Sequence, residues 1–179
     1  MSPELLRKLV HAFLSLSLAY LASQVSVPAM VLLGVLLFGV FWLTRRKRHL
    51  DFLRQVGRTT YGELYFAGGI LASTLLFLPT HVLAFQVGML VLGLADPIGA
   101  LVGKRYGRHH YRLWGDRLSY EGSITCGLVS ALTLAAFGTS AVGALAGGVV
   151  LALVEALSPR GSDNLLLPLT ASMLHVMLL

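Results

Sequence analysis

The chain has 179 residues, of which 56% are hydrophobic and 12% charged. Soluble domains carry about 25% charged residues, so a polar coat around a water-soluble core cannot be assembled from this composition. The net charge of +6 comes from basic residues gathered between apolar runs, which fits anionic lipid headgroups and not nucleic acid.

The apolar runs approach or reach the length of about 17–25 residues that a helix needs to cross a bilayer. They predict an all-α, polytopic transmembrane helical bundle forming one domain over 1–179. About seven spans are expected, at 5–23, 28–44, 63–78, 81–95, 121–138, 140–157 and 164–179. The first follows Arg7 and Lys8 and reads as a span, not a signal peptide, because His11 interrupts it and no small-x-small cleavage site stands out. In the stretch 51–56, Phe52, Leu53 and Val56 share a helical face and are expected to lie flat on the headgroups. A short piece, 97–104, is expected to be a helix that does not cross. Cys126 is the only cysteine, so no internal disulfide is possible.

With seven spans, the basic segments fall on one side: Arg7 and Lys8, then 45–58, then 104–117, then Arg160. The opposite connections, near 24–27, 79–80 and 138–139, carry no Lys or Arg. The positive-inside rule puts the N-terminus and the basic loops in the cytoplasm and the C-terminus outside. The acids follow the same partition, a bias that the rule does not explain. Trp42, Tyr61, Tyr65, Tyr106, Tyr111 and Trp114 read as an aromatic belt at this interface, and His81 and His175 as interfacial toward the far side.

Four segments could carry chemistry. Glu4, Arg7, Lys8 and His11 share one helical face; the cations suit an ordinary helix end, but His11 lies a turn deeper and needs a partner. In Ala95-Asp96-Pro97-Ile98-Gly99-Ala100, Pro97 is expected to break or restart the helix. A restart aligns Asp96, Gly99, Ala100, Gly103 and Lys104, a surface suited to a metal-bound phosphate. The plain alternative makes Asp96 an N-cap and the small residues a packing strip. In Ser119-Tyr120-Glu121-Gly122-Ser123, Ser119 can cap a helix with Glu121 in its first turn, and alone this suggests no chemistry. Glu155 lies in an otherwise apolar helix, where a carboxylate needs a cation, a metal or a hydrogen-bond partner. Asp163 and Asn164 then open the last span, with Pro168 tolerated in an early turn. Oxygen donors of this kind suit Mg²⁺ with substrate phosphates. No phosphate-binding P-loop, protein-kinase motif set or zinc pattern is present in the sequence.

In their order, these segments resemble a known family: Glu4-Leu5-Leu6-Arg7-Lys8-Leu9-Val10-His11, Gly62-Glu63-Leu64-Tyr65-Phe66, Asp96-Pro97-Ile98-Gly99-Ala100 on to Gly107, Ser119-Tyr120-Glu121-Gly122-Ser123, and Glu155 on to Asp163-Asn164 and Pro168. The family is the membrane lipid kinases that include dolichol kinase, phytol kinase and the CTP-dependent diacylglycerol kinase of yeast. The resemblance implies transfer of the γ-phosphoryl of CTP, with Mg²⁺, to a membrane lipid alcohol: a polyprenol or dolichol, a phytol-like isoprenol, or diacylglycerol. Asp96, His11 and Lys8 would then be catalytic, with His11 or a carboxylate taking the hydroxyl proton. Asp96, Glu155 and Asp163 would hold the metal, directly or through water. Lys8, Lys104, Arg105, Gly99, Gly103 and Glu121 would bind nucleotide and phosphate, and Asn164 would orient a phosphate or a metal water. Ala95 stands where many relatives are expected to have Gly. Two rival readings are a cytidylyltransferase making a CDP-lipid and a small membrane transporter. The latter would place ionisable groups near the bilayer midplane. Self-association is left open.

Overall fold

A computed structural model describes residues 3–46 and 61–179. The stretch 51–56, expected to lie on the headgroups, falls outside the described residues. The order of elements is α1 (Pro3–Leu21), α2 (Val27–Arg46), α3 (Gly62–Leu76), α4 (Val82–Leu90), a π-helical segment (Val91–Ala95), α5 (Asp96–Tyr106), β1 (His110–Leu113), β2 (Asp116–Ser119), α6 (Tyr120–Ala136), α7 (Ala141–Leu157), a 3₁₀ turn (Pro159–Gly161) and α8 (Asp163–Leu178). A helix stands at each apolar run that the sequence marks. One of them, Val82–Tyr106, is 25 residues long and apolar enough by length and composition to cross a membrane. The other apolar helices are shorter.

That long helix corrects the expectation of a break at Pro97. Asp96 keeps helical φ/ψ of −62° and −52°, and α4, the π-helical segment and α5 form one rod. Proline lacks the N–H of the ladder and its ring collides with the carbonyl four residues back, here that of Gly93. A π-helical turn widens the ladder where this collision would fall. The piece 97–104 is therefore the end of the long helix and not a separate one.

Ahead of Asp96 the rod is apolar on nearly all sides, as suits a central helix. Phe85, Met89 and Leu92 enter one core with Leu18, Met30, Phe66 and Ile70 from α1, α2 and α3. Val87, Val91 and Ala95 enter a second core with Cys126, Leu134, Leu151 and Leu167 from α6, α7 and α8. Glycines set the closest crossings. A Cβ on Gly122 would sit 3.0 Å from the Gly99 carbonyl oxygen and 3.1 Å from Gly103 Cα, so α5 and α6 meet backbone to backbone. Gly127 and Gly148 do the same for α6 and α7.

The second departure from an all-helical reading is a two-stranded antiparallel hairpin, with Tyr111 opposite Leu118 and Arg112 opposite Arg117. Its turn residues, Trp114 and Gly115, both have positive φ, 54° and 86°, as the tight hairpin turn matched to strand twist requires. At the other end of the bundle, His81 is exposed but His175 is buried against the edge of the Phe137 ring. His175, expected near the far interface, is thus packed inside the bundle in the last turn of its helix. It sits on the same face of α8 as Leu167, Ala171 and Ser172, all buried.

Candidate active site

A cavity of roughly 850 Å³ opens at the end of the bundle where the hairpin lies, within the 300–1,000 Å³ typical of small-molecule sites. Helix α1 contributes Lys8 and His11, and α5 contributes Asp96, Gly99, Ala100, Gly103 and Lys104. Glu155 comes from the last turn of α7, Arg160 and Gly161 from the 3₁₀ turn, and Asp163 and Asn164 from the start of α8. The hairpin roofs the space with Leu113, Asp116, Arg117 and Leu118.

Asp96 is buried, and Lys8 Nζ donates to both its oxygens, at 3.0 and 3.3 Å. This ion pair ties α1 to the rod across 88 positions of sequence. Asp96 is not an N-cap, because it and the residue before it are both already helical. His11 lies one turn along α1, buried and stacked on Phe66 with ring centroids 4.3 Å apart. Gly62, at the start of the same helix as Phe66, also lines the cavity.

Glu155 accepts a bond from Ser123 Oγ at 3.3 Å, and Ser123 Oγ is joined to the Tyr111 hydroxyl. Trp114 Nε1 donates to the Leu157 carbonyl at 3.0 Å, so the hairpin tip is fastened to the end of α7. Tyr111 and Trp114, expected in an aromatic belt, thus carry specific bonds of the site. Arg160 has a φ of 55°, a left-handed conformation that costs a non-glycine residue about 1–2 kcal/mol. Asn164 Nδ2 donates to the Gly161 carbonyl at 3.1 Å, while its Oδ1 is buried with no partner among the described residues.

Of the residues expected to act, Lys8, His11, Asp96, Gly99, Gly103, Lys104, Glu155, Asp163 and Asn164 share this cavity. Arg105 and Glu121 are not among its lining. Arg105 lies over the Tyr106 ring, 5.4 Å from its centroid. Glu121 accepts from the backbone N–H of Arg108 and of His109, both at 3.1 Å, and its Oε1 lies 2.9 Å from His109 Nδ1. Its carboxylate therefore anchors the turn that leads into the hairpin. Gly99 and Gly103 do line the cavity, but their smallness is already explained by the contact with α6. Sequence reasoning missed Asp116, Arg117, Ser123 and Arg160. Ser123 and Arg160 stood inside marked segments without a role of their own, and only charge flagged Asp116 and Arg117, because a short hairpin leaves no periodic pattern.

Four carboxylates, Asp96, Asp116, Glu155 and Asp163, and an unpartnered amide oxygen line one space, oxygen donors of the kind a hard divalent cation takes. Among the described residues, no three acidic, histidine or cysteine side chains converge as a ready-made cage. Such a site fits a cation that keeps waters and completes its shell with substrate phosphates, as Mg²⁺ does.

No family model and no solved structure matches the chain. A phytol kinase from Synechocystis sp. is 35% identical over 183 aligned positions, which cover 96% of this chain and 78% of that protein. The chain therefore belongs to the phytol kinase and dolichol kinase family of lipid kinases, phosphotransferases that act on an alcohol.

Proposed function

We propose that the protein is a CTP-dependent, Mg²⁺-requiring kinase of a membrane isoprenoid alcohol, with a phytol-like acceptor first among candidates. The observation that carries this reading is the gathering of Lys8, Asp96, Glu155 and Asp163 from four separate helices into one cavity. The name of the Synechocystis relative supports the acceptor class, and CTP follows the resemblance to the wider family.

Phosphoryl transfer asks the protein mainly to position reactants and to neutralise charge. Lys104, Arg117 and Arg160 line the cavity and would bind the phosphates. Asp96, Glu155 and Asp163 would hold Mg²⁺ together with phosphate oxygens, and the bound ion would neutralise charge on the transferring group. Asn164, tethered to Gly161, would orient a phosphate or a metal water through Oδ1. Lys8, held by Asp96, would meet the γ-phosphoryl. His11, one turn deeper and packed on Phe66, would accept the proton of the lipid hydroxyl. The Leu113 and Leu118 roof would limit water around the reacting groups.

The reading also embeds the bundle in a membrane, with the cavity at the cytoplasmic end and seven helices crossing. Phe13, Leu132 and Val142 are at least 70% exposed, on three different helices. Apolar patches this widespread are rare on water-soluble monomers. The lipid chain would stay among the helices while the nucleotide enters from water.

The test is γ-phosphate transfer by the purified protein, with CTP, ATP, GTP and UTP as donors and phytol, a polyprenol and diacylglycerol as acceptors. The expected products are CDP and a phosphorylated isoprenol. Pyrophosphate with a CDP-lipid would mean a cytidylyltransferase, and no labelled lipid with any pair would overturn the proposal.

A further inference from the structure

The hairpin does more than roof the cavity. Its inner face carries Tyr111, whose ring packs on Tyr120 with centroids 4.9 Å apart and whose hydroxyl meets Ser123 Oγ. Ser123 stands in the first turn of α6 and donates to Glu155 Oε2 at 3.3 Å. A serine hydroxyl has one hydrogen to give. With that hydrogen directed at Glu155, the Tyr111 hydroxyl must be the donor to Ser123. Burial pushes the Tyr111 phenol above its ordinary value, so this donor keeps its proton. The chain of bonds is therefore directional and ends on a carboxylate facing the cavity. Tyr111 itself is not among the cavity-lining residues.

We infer that Tyr111 and Ser123 are positioning residues, a hydroxyl relay that fixes the orientation of Glu155 and makes its readiness depend on the hairpin being seated. The inference rests on the kinase reading, in which Glu155 works in the cavity. Serine alone, on a short side chain, leaves Glu155 a choice of rotamers. Serine fixed from behind by a tyrosine whose ring is itself packed leaves it fewer. Partners behind a ligating group of this kind are typically worth about 10–100-fold in affinity or activity.

The test uses the purified full chain with Mn²⁺ as the probe, its binding followed by electron paramagnetic resonance in the presence of CTP, alongside kcat and the KM for CTP. Tyr111→Phe and Ser123→Ala should each weaken Mn²⁺ binding and lower kcat by about tenfold, with the melting temperature and the KM for CTP little changed. The double variant should be no worse than Ser123→Ala, because both changes cut one chain. Tyr120→Phe, which removes a neighbouring hydroxyl outside the relay, should match wild type. Additive losses, or equal losses in Tyr120→Phe, would reduce Tyr111 to a packing residue and overturn the relay. An inactive Glu155→Gln beside a Tyr111→Phe equal to wild type would overturn the relay alone. A fully active Glu155→Gln would remove Glu155 from the kinase reading and take this inference with it.

Discussion

Asp96 and Lys8 show how a single pair can matter more to the site than to the fold. Their side chains are 8% and 16% exposed, so neither charge is fully hydrated. Removing one partner of such a pair leaves the other uncompensated. Asn keeps the shape and one acceptor but leaves the Lys8 charge unbalanced, so Asp96→Asn should still express and fold, with a lowered melting temperature. It should lose phosphoryl transfer by at least about a hundredfold; near-normal turnover would remove Asp96 from the mechanism. Arg160 gives the opposite trade. Its left-handed backbone is strained, and Arg160→Gly should hold or raise stability by up to about 1 kcal/mol. The same change removes a cation from the cavity and should raise the KM for nucleotide. A lower melting temperature together with an unchanged KM would refute both halves. At this scale the sequence was legible where a residue violated its surroundings: His11, Asp96 and Glu155 are ionisable groups in apolar helices, and all three reach the cavity. It was not legible where meaning comes from a partner far along the chain. No spacing rule joins Lys8 to Asp96, or Tyr111 to Glu155. Glu121 stands in the first turn of its helix as read, but the adjoining turn claims its carboxylate, a use that sequence spacing does not mark.

Among the elements, the crossing of α5 on α6 is the one that shapes the site. It brings Asp96 and Lys104 on one helix within reach of the Ser123 and Glu155 bond on its neighbours. A methyl group on Gly122 meets backbone on the facing helix, which cannot rotate away as a side chain can. Gly122→Ala should therefore destabilise by about 1–3 kcal/mol and lower activity with it. Gly39→Ala, where an added Cβ meets nothing within 4 Å, should cause no loss. Equal melting temperatures for the two variants would show that the glycine crossing is not a tight one. The helices were readable because each is a long apolar run, a signal that survives ignorance of what it packs against. The hairpin was not, since its strands are four residues each and mix His, Arg and Asp with Leu and Tyr. Its like-charged pair, Arg112 opposite Arg117, is also one that strand pairing disfavours. Nor could the sequence show that the rod would survive Pro97, because the relief lies in the π-helical turn before it.

For the whole molecule, the basic segments and the cavity meet at one end of the bundle. The sequence places every basic segment on one side if the spans number seven, and the cavity draws on the N-terminal end of α1, α3, α6 and α8, on α5 as the C-terminal part of the rod, and on the C-terminal end of α7. Antiparallel helices put those ends together whether or not lipid surrounds them, so the bundle alone does not fix the membrane side. On the proposed seven-span reading the basic loops would fix it, because Lys and Arg are retained on the cytoplasmic side. Cys126 is buried, so wild type should give little background to a membrane-impermeant maleimide. On intact cells, Ser26→Cys and Thr80→Cys, both exposed at the far end, should be labelled. Arg108→Cys, exposed before the hairpin, should react only after permeabilisation. Labelling of Arg108→Cys in intact cells, with Ser26→Cys and Thr80→Cys protected, would invert the protein. The cavity would then face away from the cytoplasmic nucleotide pool, and a nucleotide-dependent kinase could not work from that side.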